Sequence, residues 1–265
     1  MRLPLIALFA ASFAIHAEEP APKVSDWNGY EKQDFEVAGH QALIVVPKTV
    51  AQGKPWIWRT EFFGHEPQGD IALLGAGWHV AYLKISDMYG SPAAIDLMAQ
   101  FHDYATRTYG LNPRVVLEGF SRGGLYAFNF AATHPDKTAA LYLDAAVLDL
   151  RSWPGGKGAG VGSKACWEQA LQLYGLTEET AADFKGNPLD RIDPVLKAHI
   201  PIIAVCGDSD KVVPYVENTA QLEGRYKELG GNIQVILKPG VDHHPHSLKD
   251  PQPIVDFLLK NAYAH

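Results

Sequence analysis

The chain has 265 residues, of which 47% are hydrophobic and 20% are charged, a balance that excludes a disordered protein. The net charge is −7 and no two Lys or Arg residues are adjacent, which argues against binding to a nucleic-acid backbone. Two cysteines are too few for a disulfide framework or a four-cysteine zinc site.

The first residues have the pattern of an export signal. Arg2 is followed by a largely apolar stretch, Leu3–Ile15, and then by Ala17. Thirteen residues are too few to cross about 30 Å of bilayer, so the stretch does not predict a permanent membrane anchor. We expect a signal peptide at residues 1–17, cleaved after Ala17 or alternatively after Ala14, and a periplasmic or secreted protein.

The rest of the chain alternates between strand-like and helix-like segments, which predicts an α/β fold with a mostly parallel sheet covered by helices on both faces. The predicted strands are a hairpin over 34–46 and segments 55–60, 79–85, 114–118, 139–144, 201–205 and 232–238; the predicted helices are 92–109, 123–133, 215–229 and 251–262. We expect a single domain over residues 24–265. A Gly-rich and then helical stretch at about 148–193 predicts a lid inserted before the penultimate strand.

The sharpest motif is Gly-Phe-Ser-Arg-Gly at residues 119–123, which fits the nucleophile-elbow pattern G-x-S-x-G. A predicted strand precedes the motif and a predicted helix follows it, as the pattern requires. The glycines leave room for a tight turn that exposes the Ser121 hydroxyl at the carboxyl end of the sheet. The motif therefore predicts Ser121 as a nucleophile and the backbone N–H of Arg122 as an oxyanion donor. The alternative is a Gly-rich turn that carries a surface serine.

From about Asp34 onward, this motif and the order of elements resemble the α/β-hydrolase superfamily. Within it the chain is most similar to small secreted esterases and prolyl-oligopeptidase-like serine hydrolases. The superfamily orders its catalytic triad as Ser, acid, His. The resemblance implies that the acid lies in the loop after strand 201–205, at Asp210, with Asp208 as the competing residue.

The same resemblance implies that the catalytic histidine follows the last strand. His243 stands three residues after Gly240, the spacing that the family often uses, and His244 is the alternative. His246 lies beyond Pro245 and is expected to brace the loop.

The remaining site residues are less sharply defined by the sequence. A second oxyanion donor is expected in the loop after strand 55–60, within 59–61, for which Thr60 is our candidate. Tyr89 and Trp153 are candidates for the substrate pocket. The alternatives are a surface turn for Tyr89 and a place in the lid's own core for Trp153.

Clustered histidines also invite a metal interpretation. His243, His244 and His246 lack the i, i+4 spacing of a helical zinc motif, and Pro245 excludes a helix there. A zinc site would need a further ligand from elsewhere, such as His65. Because the serine motif already explains a histidine in this loop, we expect neither a metal nor an organic cofactor.

Together these features predict an exported serine hydrolase that cleaves a carboxylic ester through an acyl-serine intermediate. Its expected partner is a small-molecule or carbohydrate ester, the latter by analogy with exported esterases. One alternative is a serine peptidase of the prolyl-oligopeptidase-like type. Another is a non-catalytic binding module on the same fold.

Overall fold

The computed structural model describes residues 21–264, so the predicted signal peptide at residues 1–17 lies outside the described residues. The strands are β1 (Lys23–Trp27), β2 (Tyr30–Val37), β3 (His40–Val46), β4 (Trp56–Arg59), β5 (His79–Leu83), β6 (Val115–Phe120), β7 (Thr138–Asp144), β8 (Ile202–Gly207) and β9 (Ile233–Lys238). The α-helices are α1 (Gln68–Gly75), α2 (Pro92–Thr108), α3 (Gly123–Thr133), α4 (Lys164–Tyr174), α5 (Glu178–Ala182), α6 (Ile192–Lys197), α7 (Thr219–Glu228) and α8 (Gln252–Asn261). None of these helices is long and apolar enough to cross a membrane.

The nine strands form one sheet in the order β1-β2-β3-β5-β4-β6-β7-β8-β9. The pairs that join β1, β2, β3 and β5 are antiparallel, and every pair from β5 to β9 is parallel. Parallel strands bring their carboxyl ends to one edge of the sheet, where open α/β folds bind ligands. The predicted α/β-hydrolase fold is confirmed, and its loops after β4, β6, β7, β8 and β9 share that edge.

Helices cover both faces of the sheet, and the alternation of side chains along each strand explains why. Trp56 and Trp58 of β4 point into a core formed with α2, α3, α6 and α7, whereas Ile57 points into a second core formed with α1 and α8. Successive strand residues face opposite sides, so a strand buried on both faces is largely apolar. The run of buried residues in β4 therefore fixes it as a central strand.

The boundaries differ from the sequence prediction at three places. Strand β1 at the edge of the sheet and the short helix α1 were not predicted. The predicted helix 215–229 is divided into a 3₁₀ turn, Tyr215–Glu217, and helix α7. Asn218 lies between the two, and its side-chain amide donates to Pro214 and accepts from the backbone N–H of Leu148. These bonds tie the chain to the insertion and interrupt the helix.

The segment between β7 and β8 contains α4, α5 and α6 and forms the expected insertion before the penultimate strand. It has a small apolar core of its own, in which Trp167 packs with Leu125 of α3 and with Tyr89 from the loop after β5. The insertion is thus attached to the elements that lie beside the nucleophile elbow.

Candidate active site

The nucleophile elbow is the turn between β6 and α3. Ser121 has a φ of +49°, a left-handed conformation that side chains adopt only when surrounding contacts hold it. The Ser121 N–H donates to the Asp144 carbonyl at 2.8 Å, and its own carbonyl accepts from Val147 N–H at 2.9 Å. A Cβ on Gly119 would lie 2.8 Å from a carbonyl oxygen of α3, and one on Gly124 would lie 2.6 Å from a neighbouring side chain. Only glycine fits at these two positions.

Three side chains from three loops meet at this turn. Nε2 of His243 lies 3.0 Å from Oγ of Ser121. Nδ1 of the same ring lies 2.8 Å from Oδ2 of Asp210. A carboxylate only accepts, so Nδ1 carries the ring proton, and Nε2 is free to accept from the serine hydroxyl. This chain of hydrogen bonds is the arrangement that activates a serine for nucleophilic attack.

The loop after β8 contains two aspartates, of which Asp210 contacts His243 and Asp208 does not. Oδ1 of Asp210 accepts from the backbone N–H groups of Val212 and Val213, both at 2.8 Å, which leaves Oδ2 for His243. Asp208 is exposed, and its carboxylate accepts from Gly240 N–H at 2.7 Å instead. Asp208 thus joins the two loops and has no contact with the imidazole of His243.

The loop after β9 is fixed so that His243 points inward. Asp242 accepts from the N–H groups of Lys211 and His243 at 2.9 and 2.8 Å, and these two bonds lower the pKa of the Asp242 carboxyl. His243 is buried, whereas His244 is exposed. Burial, followed by the neighbouring imidazoles, lowers the pKa of His244.

His246 is held by a buried carboxylate that the sequence did not single out. Asp144, at the end of β7, is fully buried and accepts from Nδ1 of His246 at 2.8 Å and from Ser247 N–H at 2.7 Å. The hydroxyl of Tyr142 also donates to it at 3.2 Å. His246 braces the loop through this contact. The sequence signal that could have identified Asp144 is its position at the end of the buried strand β7, which pairs with the strand that leads to Ser121.

A cluster of three histidines lies next to His243 of the hydrogen-bonded chain. His65, His244 and His246 place one ring nitrogen each within 4.8 Å of the others. The ring centroid of His243 is 4.9 Å from those of both His244 and His246. The sequence analysis gave His65 as one example of the further ligand that such a cluster would need, but spacing alone could not show that its loop reaches the loop after β9.

Ser121 lines a cavity of about 420 Å³. Aromatic and imidazole side chains line it: Phe62, Phe63, His65, His243, His244 and His246. Such a mixture of apolar walls and a few polar groups is typical of small-molecule sites.

The predicted pocket residues do not line this cavity. Tyr89 is fully buried, and its hydroxyl donates to the side chain of Gln169 at 2.8 Å, so the prediction that it contacts substrate is wrong. Trp153 packs at 6.1 Å from the Tyr89 ring, in the core of the insertion. Both side chains stabilise the attachment of the insertion, and Phe62 and Phe63 occupy the wall instead.

The two candidate oxyanion donors differ in whether their backbone N–H groups already have a hydrogen-bond acceptor. Within residues 21–264 the backbone N–H of Arg122 donates to no other group. It is therefore free to donate to an oxyanion. The N–H of Thr60 donates to the Glu118 carbonyl at 2.9 Å, and its hydroxyl donates to Glu118 and Gly123. The choice of Thr60 is therefore wrong, because its donors are consumed by the junction between β4 and the elbow.

The side chain of Arg122 packs beside the nucleophile elbow. Its guanidinium lies 3.3 Å from Glu61 and 2.6 Å from Asp87, and it lies over the rings of Phe62 and Tyr89. The two carboxylates raise the pKa of Arg122 against the opposing effect of burial. Burial raises the pKa of Glu61, which Arg122 opposes. The paired charges leave no net cation to attract an anionic substrate.

A buried ion-pair network supports the loop that carries the cavity aromatics. Arg59 is 1% exposed and lies 2.9 Å from both Asp70 and Glu118. It also donates to the carbonyls of His65 at 2.6 Å and Phe62 at 3.3 Å. Burial raises the pKa of Glu118 well above its usual range, and Arg59 opposes the shift. Through Arg59, the end of β4 positions the His65 loop.

Comparison with known proteins agrees with this geometry. The sequence model of the prolyl oligopeptidase family matches residues 74–263. The chain belongs to this family. No curated protein sequence matches the chain.

Solved structures share the fold at low sequence identity. A Mycobacterium tuberculosis puromycin-hydrolyzing peptidase superposes with a TM-score of 0.65 at 16% identity, over 86% of this chain and 38% of that one. A Pyrococcus horikoshii acylaminoacyl peptidase gives 0.66 at 13% identity, over 91% and 44%. A Staphylococcus aureus S-formylglutathione hydrolase gives 0.60 at 15% identity, over 81% and 92%. The chain thus spans less than half the length of these peptidases and most of the length of the S-formylglutathione hydrolase.

Proposed function

We propose that this member of the prolyl oligopeptidase family is an exported hydrolase of carboxylic esters that works through an acyl-serine intermediate. The observation that carries the proposal is the unbroken hydrogen-bond chain from Ser121 through His243 to Asp210, open to a cavity. The export of the protein rests on the sequence pattern of residues 1–17.

In the proposed reaction, Ser121 Oγ attacks the acyl carbon while His243 Nε2 takes the hydroxyl proton. Asp210 holds the Nδ1–H and stabilises the imidazolium that forms. His243 then returns the proton to the departing alcohol, and a water molecule, activated by the same ring, releases the acid. No other proton carrier is needed.

The oxyanion of the tetrahedral intermediate requires two N–H donors. We assign the first to Arg122. The second we place at Phe62, one residue beyond the predicted range 59–61, because the donors of Thr60 are already used and because Phe62 borders the cavity that holds Ser121. Within the described residues the Phe62 N–H has no acceptor, and the residue has a φ of +56°.

Two observations support an ester over a peptide. The S-formylglutathione hydrolase is matched over 92% of its length, against 38% for the puromycin-hydrolyzing peptidase. Among the described residues that line the cavity there is also no carboxylate side chain that would pair with the amino group of a peptide. The second candidate is a serine peptidase, which the family match and the acylaminoacyl peptidase fold favour.

A substrate panel separates the two candidates. Purified protein is assayed on p-nitrophenyl esters of increasing acyl length, on acetylated and feruloylated sugars, and on aminoacyl and peptidyl p-nitroanilides. We expect ester turnover with no amide turnover at the same enzyme concentration. Turnover of an aminoacyl or peptidyl p-nitroanilide at that enzyme concentration would contradict the proposal and favour the peptidase.

A further inference from the structure

His65, His244 and His246 form a cluster that the proposed reaction does not use. His65 comes from the loop after β4, and the other two come from the loop after β9. Their nearest ring nitrogens all lie within 4.8 Å of one another. Imidazole nitrogen is a common ligand of Zn²⁺ and of neighbouring divalent transition metals.

The geometry points to a divalent metal site, with Zn²⁺ as its natural occupant, ligated by His65, His244 and His246. Three histidines and one open position are an arrangement known in catalytic zinc centres. In a tetrahedron with Zn–N bonds of about 2.0–2.1 Å, neighbouring nitrogens stand roughly 3.3–3.4 Å apart. The nitrogens must therefore approach one another by about 1.5 Å at most, since they start within 4.8 Å.

Two of the three rings are free to make that movement. His65 and His244 are exposed, and within residues 21–264 neither ring has a hydrogen-bond partner. Rotation of these side chains about χ1 and χ2 costs little compared with the movement of a buried ring. The backbone on each side is fixed, by Arg59 at the His65 carbonyl and by Asp242 at His243.

The third ring has the carboxylate partner that metal-ligating histidines usually have. Nδ1 of His246 is bound to the buried carboxylate of Asp144 at 2.8 Å, which leaves Nε2 as its ligand atom. A carboxylate behind a ligating histidine fixes the tautomer and increases the basicity of the ring. The contact places a negative charge behind the site without using a coordination position.

The open position would face the proposed substrate. All three histidines line the same cavity as Ser121. A metal held there would offer its fourth position to water or to an oxygen atom of a molecule in the cavity. The competing explanation is that the rings only pack edge to face, since the interplanar angles of His65 with His244 and of His244 with His246 are 88° and 81°.

Metal titration distinguishes these explanations. Protein without an affinity tag is stripped with a chelator, and Zn²⁺ binding is followed by calorimetry and by metal analysis after gel filtration. Binding of Co²⁺ is followed by its visible absorption spectrum. We expect one tight Zn²⁺ per chain and a Co²⁺ spectrum of tetrahedral type with nitrogen ligands.

The variants His65→Ala and His244→Ala should each lower Zn²⁺ affinity by at least ten-fold, because each removes one ligand from an exposed side chain. The matched control is His199→Asn, an exposed histidine before β8, at the opposite edge of the sheet. Its φ is +54°, which Asn tolerates. This variant should bind Zn²⁺ as the wild type does.

Wild-type affinity in both His65→Ala and His244→Ala, or no Zn²⁺ bound by the wild type, would overturn the proposal. The Ser121→Ala variant separates this result from the fate of the proposed function. It should retain full Zn²⁺ binding, since Ser121 is not a ligand, whatever its activity proves to be.

Discussion

Substitution of Asp144 by Asn tests how the loop after β9 is held. The carboxylate accepts from His246 and from Ser247 N–H, and Asn keeps the same shape with one acceptor atom fewer. If the amide oxygen of Asn faces the Ser247 N–H, the amide NH₂ faces Nδ1 of His246. That ring must then change its tautomer to accept the bond.

The expected cost follows from the change in hydrogen-bond type. Hydrogen bonds to a charged group contribute about 1.5–3 kcal/mol each, against about 0.5–1.5 kcal/mol between neutral groups. Two bonds that each weaken by about 1 kcal/mol lower the free energy of unfolding by about 2 kcal/mol. At a urea m-value of about 3 kcal/mol/M, the unfolding midpoint falls by about 0.7 M.

The assay is urea unfolding followed by tryptophan fluorescence and far-UV circular dichroism. The matched control is Asp96→Asn in α2, whose carboxylate is exposed and makes no hydrogen bond among the described residues, and this change should cost less than about 0.5 kcal/mol. A change in the Asp144→Asn variant that equals the control would show that Asp144 does not hold the loop, and would refute this part of our reasoning.

Three further predictions follow from the site. Asp210→Asn should lower kcat by about 10⁴-fold because the imidazole loses its required tautomer, whereas Asp208→Asn should stay within a few-fold in the same ester assay; the reverse order would place the acid at Asp208. Gly124→Ala should abolish soluble expression or activity, since its Cβ would lie 2.6 Å from a neighbouring side chain, whereas Gly224→Ala meets nothing within 4 Å and should raise the thermal midpoint slightly; equal behaviour of the two would contradict the packing. Burial raises the pKa of Cys206 to about 12, so this thiol should resist labelling by Ellman's reagent at pH 8 in the folded protein and react after denaturation. Rapid labelling of the folded protein at Cys206 would contradict its burial.

The parts of the fold that were predictable are those with a strong local signal. The strand before Ser121 begins with the apolar run Val115–Leu117 and leads directly into the Gly-x-Ser-x-Gly motif, so both the strand and the turn were evident from the sequence. Strand β1 was not, because it lies at the edge of the sheet and its residues are largely exposed. Helix α1 was missed because it has eight residues, a glycine near each end and no clear amphipathic pattern.

The site was predictable where motif and spacing fixed a residue, and unpredictable where contacts between distant loops decided its role. Thr60 is at the expected distance along the chain, but its N–H belongs to the ladder between β4 and β6. Tyr89 follows a strand at the correct edge, but the insertion covers it and takes it into a core. His65 and His244 lie close together although they are distant in the sequence, and Arg59 holds the His65 loop through its carbonyl.

The central claim, that Ser121 is a nucleophile activated by His243 and Asp210, is tested most directly by covalent labelling. Purified protein is treated with a fluorophosphonate, and the modified residue is located by peptide mass spectrometry, with p-nitrophenyl acetate turnover measured in parallel. We predict one label per chain on Ser121, no label on Ser121→Ala, and a loss of kcat in this variant of at least about 10³-fold. Labelling at another residue, or more than about a tenth of wild-type turnover in Ser121→Ala, would contradict the account.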